Sequence, residues 1–200
     1  MSMRCLAIDT ETTGLPRYDR PADDPSQPRI YSLGYVLFDP EAPDGADIAV
    51  YDLVKPDGWT VPAEAAAIHG LTTELLLEKG IPIREALDRF LVAHVLADQL
   101  TGFNTNFDLK LLRGELRRCG LQDGYGALPV LDVLHQVRPY CKIAPTHAMH
   151  RAGRHYSKTP KLLEAYEICL GKAHQGAHNA LGDATATVEL YRWLRTRRPL

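Results

Sequence analysis

The N-terminal part of the chain alternates between apolar runs and proline-rich segments, which predicts β-strands joined by loops. The apolar runs are Cys5–Ile8, Ile30–Phe38 and Ile48–Val54. Residues 16–29 hold four prolines, so we expect a loop between the first two strands. A turn with Pro40, Pro43 and Gly45 separates the second strand from the third. Together these segments predict an antiparallel β-meander.

Helix-start residues and helical spacing follow in the next part of the chain. Pro62 is well placed to open a short helix that ends at His69. Thr72 or Thr73 can cap a second short helix. Pro82 opens a longer helix, because apolar residues follow it at helical spacing. Those residues are Ala86, Leu87, Phe90, Leu91 and Val95.

A strand and a further helix are predicted around Asp108. We expect Leu100–Phe103 to form the strand and Asn106 to cap the helix that follows it. The buried stripe of that helix consists of Leu109, Leu112 and Leu116. This start places Asp108 in the first helical turn, where the positive end of the helix dipole favours a carboxylate.

The last helix is predicted to begin after Asn179 as its N-cap. His178 then precedes the cap, and Asp183 is the fourth helical residue. Side chains at those two positions meet in the hydrophobic staple, so we expect His178 to lie beside Asp183. Strands first, then alternating strands and helices, predict an α/β three-layer fold. Residues 1–200 show no internal repeat, and we expect a single domain.

Composition bounds the function classes without selecting one. A formal net charge of −2 does not by itself indicate a nucleic-acid-binding protein. The cysteines form no CxxC pair, which argues against a disulfide framework or a structural zinc site and favours reduced thiols in the cytoplasm. They are Cys5, Cys119, Cys141 and Cys169. Because no apolar run approaches the ~18 residues of a membrane span, we expect a cytoplasmic protein with no membrane association.

Four carboxylates and one histidine carry the candidate chemistry, in three separate blocks. They are Asp9 and Glu11 in IDTETTG, Asp108 in FNTNFDLK, and His178 with Asp183 in HNALGD. Alternate residues of a strand share a face, so Asp9 and Glu11 point the same way. If the fold gathers all four acids, like charges ~4 Å apart repel by roughly 1–4 kcal/mol, and protons or cations must neutralise them. Oxygen ligands without a thiolate favour Mg²⁺ or Mn²⁺.

These blocks resemble the motifs of the DEDDh (DnaQ-like) 3′–5′ exonucleases, the family of the proofreading subunit of bacterial DNA polymerase III. The Asp-x-Glu-Thr-Thr-Gly motif matches residues 9–14, and a His-Gly element matches residues 69–70. An Asn followed by Phe-Asp matches residues 104–108, and His-x4-Asp matches residues 178–183. A sister group has Tyr four residues before the last Asp. That position is Asn179 here, which favours the histidine subclass.

The resemblance implies a ribonuclease H-like fold, with a five-stranded mixed sheet flanked by helices. It also implies two Mg²⁺ or Mn²⁺ ions, an arrangement suited to phosphoryl transfer. Asp9 would bridge both ions, and Glu11 with Asp183 would complete the site that holds the attacking water. Asp108 would hold the second ion on the leaving-group side.

The resemblance further implies that His178 is the general base and that the product is a nucleoside 5′-monophosphate cut from a 3′ end. General bases typically contribute ~10²- to 10⁴-fold in rate. His174 is a second candidate base, but the spacing to Asp183 favours His178.

Six residues around the motifs would form the substrate site that the family implies. They are Thr12, Thr13, Leu15, His69, Asn104 and Phe107. Backbone amides near a turn can bind the terminal hydroxyl, and an apolar side chain can stack on a base. Simpler interpretations remain open: Leu15 as a loop contact, His69 as a helix-end hydrogen bond, and Phe107 as a core residue.

Residues 138–161 contain six Lys or Arg residues and no acid. One interpretation is a solvated basic loop. Another is an insertion or arm that contacts substrate phosphates through Arg151 and Arg154, which would raise affinity without reading sequence. A zinc site at the histidines of this stretch is disfavoured, since no Cys or acid completes it.

The sequence as a whole predicts a metal-dependent 3′–5′ exonuclease that acts on single-stranded nucleic acid 3′ ends, with DNA favoured. One alternative is an exonuclease that trims RNA or oligoribonucleotides. Another is a catalytically idle module that binds nucleic acid or a polymerase. A DNA polymerase is also a candidate partner of the active enzyme.

Overall fold

A computed structural model describes residues 2–42, 46–122, 127–174 and 178–197. The predicted turn residues Pro43 and Gly45 lie outside the described residues. In chain order the elements are β1 (Cys5–Thr12), β2 (Ile30–Phe38), β3 (Ile48–Leu53), α1 (Ala63–His69), α2 (Thr73–Lys79), α3 (Ile83–Val95), β4 (Gln99–Gly102), α4 (Thr105–Arg118), β5 (Val130–Asp132), α5 (Val133–Cys141), α6 (His147–Arg151), α7 (Leu162–Leu170) and α8 (Ala180–Arg195).

The strands form one five-stranded mixed sheet in the order β3-β2-β1-β4-β5. The pairs β1–β2 and β2–β3 are antiparallel, which confirms the predicted meander. The pairs β1–β4 and β4–β5 are parallel, and α4 makes the crossover connection between β4 and β5. Strand β1 therefore lies at the centre of the sheet.

Helices cover both faces of the sheet, and the alternation of side chains along β1 assigns each residue to one face. Leu6 and Ile8 pack with α3 and α4. Cys5 and Ala7 pack with α5, α7 and α8. The same alternation continues to the end of the strand, so Asp9 and Glu11 lie on the α8 face and Thr10 on the α4 face.

Gly34 lets α8 approach the sheet closely beside Asp9, its partner on β1. A Cβ added to Gly34 would lie 2.2 Å from the backbone carbon of Ala180, the first residue of α8. A side chain at this position would hold the helix away from the strand. Gly34 thus allows the start of α8 to lie directly over the end of β1.

Several predicted helix boundaries agree with the structure, and one is wrong. Pro62, Thr72 and Pro82 precede α1, α2 and α3 as expected. Asn106 is not the cap of α4: that helix is capped at Asn104, which has φ 68°. The Asp132 carboxylate accepts the backbone N–H groups of Asn104 and Thr105 at 3.0 Å, so a residue distant in sequence starts the helix earlier.

None of the helices in the described ranges combines the length and the apolar character needed to cross a membrane.

Candidate active site

Three of the predicted acids meet where the end of β1 lies under the start of α8. Ligand oxygens of Asp9, Glu11 and Asp183 all lie within 4.8 Å of one another. Asp9 and Glu11 share the α8 face of β1, and Asp183 lies in the first turn of α8. The close approach at Gly34 brings that turn down to the strand. The structure therefore brings together residues that are 174 positions apart in the chain, from 9 to 183.

Asp108 reaches the same pocket from the opposite face of the sheet. Its Oδ1 accepts the backbone N–H of Thr10 at 2.9 Å and the Thr10 hydroxyl at 2.7 Å. The Asp108 side chain is buried near the first turn of α4. Thr10 points to the α4 face and so fixes Asp108 at the end of β1. Asp108 is not part of the cluster of three acids.

The electrostatics of the pocket favour neutralisation of its carboxylates. Burial, together with repulsion from the charges of Asp183 and Asp108, raises the pKa of Glu11 to about 8. Burial also raises the pKa of Asp9, with added repulsion from the three other acids. Burial raises the pKa of Asp108 to about 7, although the hydrogen bonds from Thr10 oppose the rise. Asp9, Glu11 and Asp108 are therefore costly to charge here unless a cation accompanies them.

The donor set suits hard divalent cations. All four ligands are carboxylates, which favour Mg²⁺, Mn²⁺ or Ca²⁺ over metals that prefer thiolate or imidazole. The four cysteines lie elsewhere: Cys5 and Cys141 are buried in the core, and Cys119 and Cys169 pack against it. The residues present therefore fit the predicted Mg²⁺ or Mn²⁺ site.

His69 and His178 form the wall of the pocket beside Glu11. His69 Nδ1 lies 3.1 Å from Glu11 Oε2 and 3.3 Å from the carbonyl oxygen of His178. The two imidazole rings meet edge to face with centroids 5.9 Å apart. Desolvation lowers the pKa of His69, which favours its neutral form. His69 is thus placed in the pocket with a hydrogen bond at the end of α1.

The histidine that contacts Asp183 is His174, not His178 as the helix-start geometry predicted. His174 Nε2 lies 2.8 Å from Asp183 Oδ1, and its side chain is buried against Tyr166. Asn179 does cap α8 as predicted, but His178 has φ 64°, in the left-handed region. This backbone conformation departs from the extended entry of a hydrophobic staple, and the His178 ring faces His69 instead.

The pocket itself is a cleft of about 390 Å³. Its lining includes most of the predicted substrate residues: Thr12, Leu15, His69, Asn104 and Phe107, with His178 and the four acids. Leu15 is 82% exposed at the rim, whereas Phe107 also packs against the core below. Thr13 does not line the cleft. Its backbone N–H donates to the Arg29 carbonyl, and its hydroxyl accepts the Arg29 N–H, both at 2.9 Å.

Arg151 and Arg154 lie away from the lining of this cleft, at the exposed end of α6 and just after it. Lys158 in the same stretch pairs with Glu164 of α7, which ties the basic segment to the body of the protein. The rings of His150 and His155 contact each other at an interplanar angle of 55°, with Nδ1 atoms 3.2 Å apart. The basic segment is therefore an exposed, anchored surface feature.

Sequence-based reasoning missed Asp132 as a supporting residue, and it considered His174 only as a candidate base and not as the partner of Asp183. Asp132 holds the backbone of Asn104, and His174 contacts Asp183. Both act across gaps that no local pattern marks. For Asp132 the available signal was an acid at the end of a short apolar run, Val130–Leu131.

A family model for exonucleases, RNase_T, matches residues 6–191. The chain is 26% identical over 190 residues to DNA polymerase III subunit epsilon of Buchnera aphidicola, covering 94% of this chain and 71% of that protein. It is 28% identical over 191 residues to the Salmonella typhimurium subunit of the same name, covering 94% and 70%.

Solved structures of exonuclease I share the fold. The zinc-bound complex of E. coli exonuclease I with single-stranded DNA has a TM-score of 0.74 and 21% identity, covering 98% of this chain and 41% of that one. Exonuclease I from Methylocaldum szegediense has a TM-score of 0.71 and 23% identity, covering 98% and 41%. The chain thus spans about two-fifths of the length of these structural relatives. Their likeness confirms the predicted ribonuclease H-like fold.

Proposed function

Because this chain belongs to the RNase_T exonuclease family, we propose that it removes nucleoside 5′-monophosphates from the 3′ ends of single-stranded DNA. Family membership confirms the predicted enzyme class, a 3′–5′ exonuclease. The observation that carries the finer proposal is the meeting of Asp9, Glu11 and Asp183 within 4.8 Å, beside Asp108. DNA is favoured because the curated relatives are named as subunits of a DNA polymerase.

We assign the cation-binding role to the four carboxylates. Asp9, Glu11 and Asp183 would hold one Mg²⁺ or Mn²⁺, and Asp108 with Asp9 would hold a second. When bound, such ions lower the pKa of water and stabilise negative charge on phosphate oxygens. The raised pKa values of Glu11 and Asp108 support this role, since cations relieve the repulsion that keeps those groups protonated.

The remaining residues of the pocket bind the strand end and move the proton. His178 takes the proton of the attacking water through its imidazole, which lies on the pocket wall. Leu15, exposed at the rim, offers an apolar surface to the terminal base. Thr12 and Asn104 line the cleft and orient the terminal sugar and phosphate. Thr13 supports this site indirectly, by fixing the turn after β1 to Arg29.

The basic segment 138–161 serves in this proposal as an arm for the strand upstream of the scissile bond. Arg151 and Arg154 are exposed, so their positive charges are accessible to the phosphates of a nucleic-acid strand. Such contacts add affinity for long strands without base preference. The arm and the pocket belong to one domain in this view.

A DNA polymerase is the protein partner we propose, and co-elution with a polymerase catalytic subunit in gel filtration tests it.

A time course on end-labelled strands tests the proposed reaction. With Mn²⁺, a 5′-labelled single strand should shorten stepwise, whereas a 3′-labelled strand should release labelled mononucleotide at once. EDTA and the Asp9→Asn variant should abolish both. Internal cuts, release of the 5′ label as a mononucleotide before the strand has shortened, or turnover in EDTA would each contradict the proposal.

The same assay separates the alternative substrates. Single-stranded DNA, RNA of the same sequence and a dinucleotide are compared under one Mn²⁺ concentration. A higher kcat/KM on RNA or on the dinucleotide would assign the protein to oligoribonucleotide trimming. Binding of strands without cleavage of any of them would identify an idle binding module.

A further inference from the structure

His69 contacts His178 in two ways, although the two residues are far apart in the chain. Its Nδ1 is hydrogen-bonded to the His178 carbonyl oxygen at 3.3 Å, across 109 sequence positions. Its ring meets the His178 ring edge to face. On its other side, His69 packs against the fully buried ring of Tyr31, with centroids 6.0 Å apart. His69 therefore links the core to the backbone that carries His178.

The backbone that receives this contact is in an unusual conformation. His178 has φ 64°, a value that residues with a Cβ rarely adopt. Such conformations persist where the surroundings fix them, and they cluster at functional sites. On the C-terminal side, Asn179 is fixed as the cap of α8 through hydrogen bonds at 3.1 Å. The carbonyl oxygen of His178 itself is hydrogen-bonded to His69 Nδ1.

The chemistry of the neighbours fixes the hydrogen on His69. The group hydrogen-bonded to its Nδ1 is the His178 backbone carbonyl, which can only accept. Nδ1 therefore carries the hydrogen, and in neutral imidazole Nε2 is then the acceptor. The hydrogen bond to the His178 carbonyl depends on a donor at the Nδ1 position.

We infer that His69 is a positioning residue, which holds the His178 backbone in its left-handed conformation and so sets where the His178 imidazole lies. This inference rests on the proposed function, in which His178 is the general base. It assigns His69 to the placement of the base, whereas the family resemblance suggested contact with the terminal nucleotide.

Two amide variants at position 69 test the donor. The side-chain amide nitrogen of Asn is attached to Cγ, as Nδ1 is, whereas that of Gln lies one bond further out, as Nε2 does. We expect His69→Ala and His69→Gln to lower kcat by about 10- to 100-fold at unchanged KM, the loss expected for a misplaced group. His69→Asn should recover most of kcat. Circular dichroism and melting temperature check that all three variants fold.

A double-mutant cycle with His178→Ala separates positioning from direct contact. Without the His178 side chain there is no base to position, so adding His69→Ala should change kcat by less than about twofold. Equal losses from His69→Ala in both backgrounds would overturn the inference. So would recovery by Gln instead of Asn, or a loss that appears in KM.

Failure of the proposed function gives a different result. If His178→Ala alone retains wild-type kcat, His178 is not the base, and both the base assignment and the positioning role of His69 are overturned. If His178→Ala loses activity while His69→Ala adds its full loss to it, only the role of His69 is overturned.

Discussion

At the scale of single residues, the pocket assigns different tasks to two histidines that lie four positions apart. His178 faces the cleft beside His69, whereas His174 is buried against Asp183 and Tyr166. An exposed imidazole can exchange a proton with a water in the cleft. A buried imidazole bonded to a carboxylate instead restrains that carboxylate.

Replacement of His178 should therefore lower turnover, whereas replacement of His174 should weaken cation binding. We expect His178→Ala to lower kcat by about 10²- to 10⁴-fold, with Mn²⁺ affinity retained, because His178 is not one of the clustered ligands. His174→Ala should instead weaken Mn²⁺ binding by about 10-fold or more, as supporting residues of metal sites do. Steady-state kinetics and Mn²⁺ calorimetry measure the two effects. Wild-type turnover of His178→Ala would remove it as the base.

Sequence motifs located the acids because each lies in a short, recognisable block. Asp9 and Glu11 lie on β1, where side chains alternate between the two faces, and Asp183 follows the helix cap Asn179. The contacts of Thr10 with Asp108 and of His174 with Asp183 could not be predicted in this way. They depend on which sheet face each element covers and on a backbone turn at His178, which are consequences of packing.

At the scale of elements, the site is built by the close approach of α8 to β2 and β1. Gly34 is the residue that permits this approach, although it lies outside every predicted motif. The strand prediction identified β2 correctly, but a run of apolar residues carries no information about how near a helix lies. The start of α4 was misplaced for a similar reason, since Asp132 caps it from another strand.

The Gly34→Ala variant should push α8 away from the sheet and loosen the carboxylate cluster. We expect a loss of about 1–3 kcal/mol in the free energy of unfolding, as for other overpacked sites, together with weaker Mn²⁺ binding. Chemical denaturation and calorimetry measure the two. Gly114→Ala is the matched control, because its Cβ would lie 2.2 Å from the Ala22 carbonyl oxygen on the far face. It should lose stability and retain Mn²⁺ affinity; equal Mn²⁺ affinity in both variants would contradict this account.

The proposed role of the basic segment, contact with substrate phosphates, depends on substrate length. We expect Arg151→Gln with Arg154→Gln to raise KM for a long strand several-fold and to leave KM for a dinucleotide unchanged. The slope of the logarithm of the binding constant against the logarithm of salt concentration is negative, and its magnitude should decrease by ~0.7 for each lost phosphate contact. Arg4→Gln with Arg84→Gln removes the same charge from other exposed positions and serves as the control. Equal KM changes for both substrates would favour the other interpretation, in which the basic segment is a solvated loop.

At the scale of the whole molecule, the acidic pocket links stability to pH and to cations. Burial raises the pKa of Glu11 from 4.5 to about 8 and that of Asp108 from 3.8 to about 7. Between the ordinary and raised values the folded protein holds protons that the unfolded chain has released. The stabilisation from these protons is complete below about pH 4 and is lost as pH rises through 7 to 8.

The melting temperature of the cation-free protein should therefore fall between pH 6 and pH 9. Mn²⁺ should raise the melting temperature more at pH 8.5 than at pH 6, because cation binding requires deprotonated carboxylates. Scanning calorimetry in EDTA and in Mn²⁺ checks both statements. Glu11→Gln removes one titrating group and should flatten the pH dependence in EDTA. An unchanged pH profile in that variant would show that the stability loss arises elsewhere.

The position of Asp183 on α8 sets a condition on biosynthesis. The ribosome adds this residue 174 positions after Asp9, so a growing chain lacks one of the three clustered carboxylates until α8 has been made. The carboxylate cluster can form only once α8 has docked on the sheet. Under the proposed function, the chain is therefore inert toward nucleic acids near the ribosome until that docking has taken place.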